Sequence, residues 1–237
     1  MSPTDIAVIF AVMTIGAVIQ GAVGFGANLV AAPALVLIDP ELVPGPVLVA
    51  GLALNALMVL REPEHDGLRS TGWALVGRVP GTALGAAALV ALPSDRLAVL
   101  FPVLILVGVG LSVGGFRVRR TAPTLVGAGT LSGFMATVVG IGGPPMALAY
   151  QDATGPVLRG ALARFFTIGG ILSVVSLVVV GRFGLDALLT SLILVPGVVL
   201  GFVLSRHLNR VLDGGWTRVA VLAVSAASAI VALARAV

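Results

Sequence analysis

Val139-Gly140-Ile141-Gly142-Gly143-Pro144-Pro145, written VGIGGPP, lies in a chain that is otherwise an almost unbroken series of apolar helix formers. Inside a helix, a glycine costs about 1 kcal/mol and a proline about 3 kcal/mol relative to alanine. A cluster of three glycines and two prolines therefore ends whatever helix reaches it. The fold has to account for that break.

The surroundings are those of a membrane protein. Of 237 residues, 58% are hydrophobic and 10% are charged, and the mean hydropathy is +1.14; soluble domains run near 45–50% apolar and about 25% charged. Runs long enough to cross a hydrocarbon core, about 20 residues each, recur along the whole length, so residues 1–237 read as a single all-α membrane domain. Asp5 and the lack of a basic residue before the first apolar run argue against a cleavable signal peptide.

All the basic charge is arginine, 14 residues against 10 acids, with a net charge of +4. Most of these arginines lie between apolar runs, where loop charge sets topology, and they do not form the clustered basic face that nucleic acid requires. Nucleic acid is excluded as a partner. With no cysteine, disulfides, thiolate metal sites and thiol redox chemistry are excluded too. The sequence calls for no metal, no cofactor and no catalytic residue.

Three strings recur in the same order. VGFG at Val23–Gly26 matches VGIG at Val139–Gly142, GPVL at Gly45–Leu48 matches GPVL at Gly155–Leu158, and VPGTALG at Val79–Gly85 matches VPGVVLG at Val195–Gly201. The offsets are about 116, 110 and 116 residues. Collinear matches at nearly one spacing point to a tandem repeat, residues 1–115 and 116–237. Each half has about five apolar runs, near 5–20, 26–38, 44–60, 71–92 and 96–114, then near 123–139, 143–150, 156–180, 186–205 and 216–236. The first two runs of each half are short for two crossings. They read as re-entrant or broken helices whose glycine tips stop inside the bilayer, which is tolerated only where backbone is buried in protein or lines a cavity.

A short pair that returns to its starting side, followed by three crossings, makes each repeat odd, and odd repeats are inverted relative to each other. The arginines support this parse. It places Arg61, Arg69, Arg117, Arg119, Arg120, Arg159, Arg206, Arg210 and Arg218 on one side and Arg96, Arg182 and Arg235 on the other. Cytoplasmic loops are enriched in arginine, so both termini are expected to be extracytoplasmic in the cytoplasmic membrane.

Transporters built from inverted repeats bring discontinuous helices together near the bilayer midplane, around the substrate. At such breaks, glycine admits close approach to backbone, prolines such as Pro144 and Pro145 suit a new helix's first turn, and the helix N-terminus attracts negative charge. The candidate binding residues are Gly24, Phe25, Gly26, Ala27 and Asn28 in the first half and Gly140, Ile141, Gly142, Gly143, Pro144 and Pro145 in the second. Arg78 and Arg164 lie roughly 12–14 Å into their runs, whereas every acid lies at or near a run end or in a loop. Intramembrane arginines mark substrate pathways, so the expected passenger is an anion. The competing role for these two arginines is bonding to carbonyls freed at the breaks. Arg159 is shallower and could snorkel to the interface; Gln20, Asn55, Thr137 and Thr167 could supply neutral hydrogen bonds. Gly77, Gly81, Gly85, Gly197 and Gly201 would form small-residue helix surfaces.

With these features in place, the chain resembles the sulfite exporter TauE/SafE family over essentially its whole length. The most specific stretch is GIGGPPMALAYQDATGPVLRGALARFF, Gly140 to Phe166, similar to a branch with a GGPP motif, through Gly142, Gly143, Pro144, Pro145, Tyr150, Arg159, Phe165 and Phe166. The first half departs from the family's Gly-x-Gly-Gly-Gly string with GFGANL, which puts polar Asn28 at its tip. The resemblance implies transport of sulfite, thiosulfate, sulfonates or small carboxylates, and an architecture of two inverted repeats. Because no buried acid stands out as a proton carrier, the energy source stays open between a uniport that follows the electrical drive on an anion and proton coupling through Tyr150, Asp152 or the substrate itself. The alternatives are an anion channel or a structural membrane bundle, with an intramembrane enzyme last, because His65 and His207 fall in loops or at helix ends and Ser132 has no partner base. The expected partners are a small anion and the lipid bilayer, and a homodimer is left open.

Overall fold

We describe the computed structural model over residues 1–62, 68–114, 117–153, 155–212 and 230. Among the described residues it is all helix and turn. Its helices are α1 (Pro3–Val23), α2 (Ala27–Ile38), α3 (Gly45–Arg61), α4 (Leu68–Ala91), α5 (Ser94–Val113), α6 (Ala122–Val139), α7 (Gly143–Ala149), α8 (Gly155–Val179) and α9 (Leu185–Leu212). A single 3-10 turn, Pro40–Leu42, links α2 to α3. The expected run at 216–236, with Arg218 and Arg235, lies outside the described residues.

Six of these helices are long and apolar enough to cross a membrane: Pro3–Val23, Ser70–Ala91, Ser94–Val113, Ala122–Val139, Gly155–Val179 and Leu185–Arg206. Large apolar side chains face outward along them, including Val76, Val79 and Leu84 on α4 and Leu192, Val199 and Val203 on α9. An outward apolar belt of this extent is an interaction surface, and the chain is a multi-pass membrane protein.

Both breaks fall where the glycine clusters place them. α1 starts on a capping box, with Ser2 Oγ accepting from Asp5 N and Asp5 Oδ2 accepting from Ser2 N, and stops at Gly24. α6 starts on a second box between Thr121 and Thr124 and stops at Gly140. The capped starts give α1 21 residues and α6 18, more than the apolar runs alone suggest. Each is therefore span-length, and the helices that follow the breaks, α2 and α7, with 12 and 7 residues, are short.

Packing follows the small residues. Gly77 lies against Val126, Gly81 against Thr130 and Gly85 against Phe134 and Thr137, so α4 and α6 run parallel in close backbone contact. Gly197 meets Phe10, Gly201 meets Thr14, and Ser205 meets Gly21, so α9 runs parallel to α1. Between these pairs, α3 and α8 are antiparallel: Gly45 is against Phe183, Leu52 against Gly170, and Glu62 against Arg159. Arg182 Nη2 donates to Leu89 O at 2.7 Å, which puts the end of α4 beside the start of α9. Arg61, Arg120 and Arg159 share the end where α3 stops and α4, α6 and α8 begin; Arg182 lies at the other.

Candidate functional site

The backbone at the breaks sets the site. Gly24 and Gly26 have φ of 105° and 112°, and Gly140 has φ of 76°, left-handed conformations that favour glycine. The first tip rests on α8, where a Cβ on Gly24 would lie 3.3 Å from Arg159 Cα. The second reaches the opposite end, with Gly140 against Val47 near the start of α3. Pro144 and Pro145 sit in the first turn of α7, where a missing N–H is harmless.

A hydrogen bond joins the two breaks, and a second set braces the first. Asn28 Nδ2 donates to Gly140 O at 2.8 Å. Gln20 Oε1 accepts from Ala27 N at 3.2 Å, its Nε2 donates to Asn55 Oδ1 at 2.9 Å, and Asn55 Nδ2 donates to Gly51 O at 2.7 Å. This buried chain fixes the start of α2 against the middle of α3. Phe25 crosses to the second break, where a side chain on Gly143 would begin 3.0 Å from the ring Cδ2.

Arg78 is 1% exposed. Its Nη1 donates to Ser132 Oγ at 2.9 Å, and its Nη2 donates to Gly169 O and Ser173 Oγ, both at 3.1 Å. Ser132 Oγ passes the bond on to Gly142 O at 2.6 Å, and Thr137 Oγ1 shares one with Ser173 Oγ at 3.0 Å. The guanidinium lies 5.3 Å from the centroid of the Phe165 ring. Among the described residues it has no ion pair, and its five donors exceed the three bonds given.

These groups wall a cavity of about 50 Å³, lined by Gln20, Phe25, Gly26, Asn28, Asn55 and Arg78 together with Gly140, Ile141, Gly142, Gly143 and Pro144. It lies partway along the long helices. Arg78 is about 15 Å into α4, and Phe166, also on the wall, is about 16 Å into α8 at 1.5 Å per residue.

Eleven of the seventeen binding residues expected from the sequence therefore meet here. Gly24 and Ala27 stand beside the cavity as supports, while Pro145 faces a different hollow with Thr124 and Leu148. Three are not brought in. Arg159 binds Glu62 bidentately, Nε to Oε1 at 2.7 Å and Nη2 to Oε2 at 3.5 Å, and donates to Ala22 O. Arg164 Nη2 donates to Glu62 O at 3.2 Å, turned toward the end of α3. Tyr150 is buried and bonds Ser70 Oγ at 3.1 Å. Glu62, placed at a run end in the sequence reading, is only 7% exposed and also pairs with Arg61 at 3.4 Å. Its carboxylate draws Arg159 away from the cavity.

Sequence reasoning missed Ser132 and Ser173 as partners of Arg78, and Leu48, Gly51, Leu52 and Gly170 as wall. Ser132 had one usable signal: it lies about two turns before the Gly140 break, on the α6 face that carries Gly129 and Gly133 toward α4. Ser173 and the wall residues had none, since small or apolar residues occur throughout every run.

A family model described as Sulfite exporter TauE/SafE matches residues 8–232, nearly the whole chain. No curated protein and no solved structure matches.

Proposed function

The chain belongs to the sulfite exporter TauE/SafE family, a family of membrane transporters, and from that premise we propose that it exports small oxyanions by alternating access around the cavity between its breaks. Arg78 carries the reading. A buried charge without an opposite charge is costly, and a ligand anion at the cavity wall would supply the missing one.

Cavity size narrows the passenger. One water needs about 10–15 Å³ measured in this way, so a volume of about 50 Å³ admits roughly three to five non-hydrogen atoms. Sulfite, thiosulfate and the smallest carboxylates meet that bound. Longer sulfonates would require the cavity to widen. Gln20, Asn28 and Asn55 would orient the oxygens, and Gly26, Gly142 and Gly143 would let them approach backbone.

The packing supports an inverted repeat. The strings shared by the halves pair α1 with α6, α3 with α8 and α4 with α9; α3 and α8 run in opposite directions. Exchanging the halves converts the α4–α6 contact into the α9–α1 contact. The close glycine packing within each of these pairs suits two rigid units that shift against each other. With the arginine-bearing end in the cytoplasm, an anion leaving the cell gains about 2.3 kcal/mol per charge per 100 mV.

Counterflow in proteoliposomes tests the proposal. Labelled sulfite should enter saturably and faster when unlabelled sulfite fills the lumen. Uptake that neither saturates nor responds to the trans anion would indicate a pore instead.

A further inference from the structure

A second, larger hollow of about 400 Å³ adjoins the cavity. Its walls are Val23, Phe25, Leu111, Ser112, Arg117, Pro144, Ala147, Leu148, Gln151 and Leu158; two of these, Phe25 and Pro144, also line the inner cavity. One aromatic ring and one proline thus stand in the walls of both spaces. The hollow reaches the surface at Arg117 and Gln151, both exposed, in the segment that also carries exposed Arg119 and Arg120. It opens at the arginine-bearing end.

The neighbouring route at that end is closed. Glu62 holds Arg61 and Arg159 together, Arg61 donates to Ser205 Oγ and Gly21 O, and Arg61 Cζ lies 4.6 Å from the Phe202 centroid. That cluster locks α1, α3, α8 and α9 against one another. Among the described residues no hydrogen bond or ion pair holds Phe25, which is half-buried, packs on Gly143 and rests against the apolar cluster that includes Met146 and Phe165. A ring turning about χ1 and χ2 joins the two spaces without breaking a hydrogen bond or an ion pair.

Resting on the transport reading above, we propose that the hollow is the anion's access vestibule, that Arg117 attracts oxyanions into it, and that the Phe25 side chain is the gate to the cavity. Attraction at a basic mouth raises local anion concentration and weakens as salt screens it. Gating by one ring makes the residue after Gly24 a determinant of rate, separate from the Arg78 group that determines affinity.

The chain has no cysteine, so single cysteines report access directly. Ala147→Cys samples the vestibule, Leu48→Cys and Leu52→Cys sample the cavity, and Arg119→Cys marks the face. Iodoacetate, an anion within the size bound of the cavity, is added at neutral pH to each face of reconstituted vesicles, and modification is followed by mass. From the face that modifies Arg119→Cys, Ala147→Cys should react quickly, and Leu48→Cys and Leu52→Cys at least tenfold more slowly. Combining either with Phe25→Ala should raise its rate toward that of Ala147→Cys, and Phe25→Trp should slow it further. Arg117→Gln should slow Ala147→Cys modification, with the difference vanishing at high salt. Cavity cysteines that react at the same rate with and without the Phe25 ring, or an Ala147→Cys reached only from the opposite face, would overturn the gate. Because modification needs no substrate, access that follows Phe25 in a protein that shows no saturable counterflow of labelled sulfite would support the gate and contradict the proposed function instead.

Discussion

Asn28 Nδ2 donates to the Gly140 carbonyl at 2.8 Å, so the first turn of α2 is tied to the cap that ends α6. The bond spans the two glycine clusters and uses the one polar side chain of GFGANL. Asn28→Ala should cost about 1 kcal/mol of stability, the scale of a hydrogen bond between membrane helices, measured by denaturant titration in mixed micelles. Asn28→Asp should do more harm to function than to folding, by putting a negative charge on an anion's cavity wall. Its sulfite affinity should fall at least tenfold.

Gly81 and Gly127 form a matched pair. A Cβ on Gly81 would run into the Thr130 carbonyl, whereas one on Gly127 meets nothing within 4 Å. Gly81→Ala should force α4 off α6 and cost about 3 kcal/mol or more, as overpacking does at its upper end. Gly127→Ala should be neutral or stabilising by up to about 1 kcal/mol from helix propensity. Melting temperatures of the two variants should separate in opposite directions.

Glu62 anchors Arg159 and Arg61 at the arginine-bearing end. Glu62→Gln leaves both cations without their carboxylate, and breaking a buried pair from one side costs about 3–5 kcal/mol. At 11% and 16% exposure of the arginine side chains, the lower figure applies. Arg159→Gln in the same chain should restore part of the loss, a coupling read by a double-mutant cycle. Sulfite affinity of the folded protein should stay within twofold throughout.

Both helix breaks were legible because glycine and proline act locally. Gly24, Gly26, Gly140, Pro144 and Pro145 stop or start helices wherever tertiary contacts carry them. Arg78 was legible for a related reason, being a charge far inside an apolar run. Arg164 looked equivalent by depth, but a long arginine side chain reaches a full turn along its helix, and Glu62 at the end of α3 offered it a carbonyl. Depth along a run locates a backbone; it does not say which way a guanidinium turns. Arg159, read as shallower and able to reach the interface, turns to Glu62, a partner 97 residues away in sequence that no local pattern could point to. The wall contributed by Leu48, Gly51 and Gly170 was illegible because such residues recur along every helix and only packing selects among them.

Buried Arg78, with no opposing carboxylate among the described residues, is the observation on which the transport account rests, and sulfite binding to purified protein tests it most directly. Wild type, Arg78→Gln and Arg164→Gln are each titrated with sulfite by calorimetry at constant ionic strength. The account predicts saturable binding to wild type, affinity within twofold of it for Arg164→Gln, and no measurable binding to a folded Arg78→Gln. Equal binding by wild type and Arg78→Gln would contradict it.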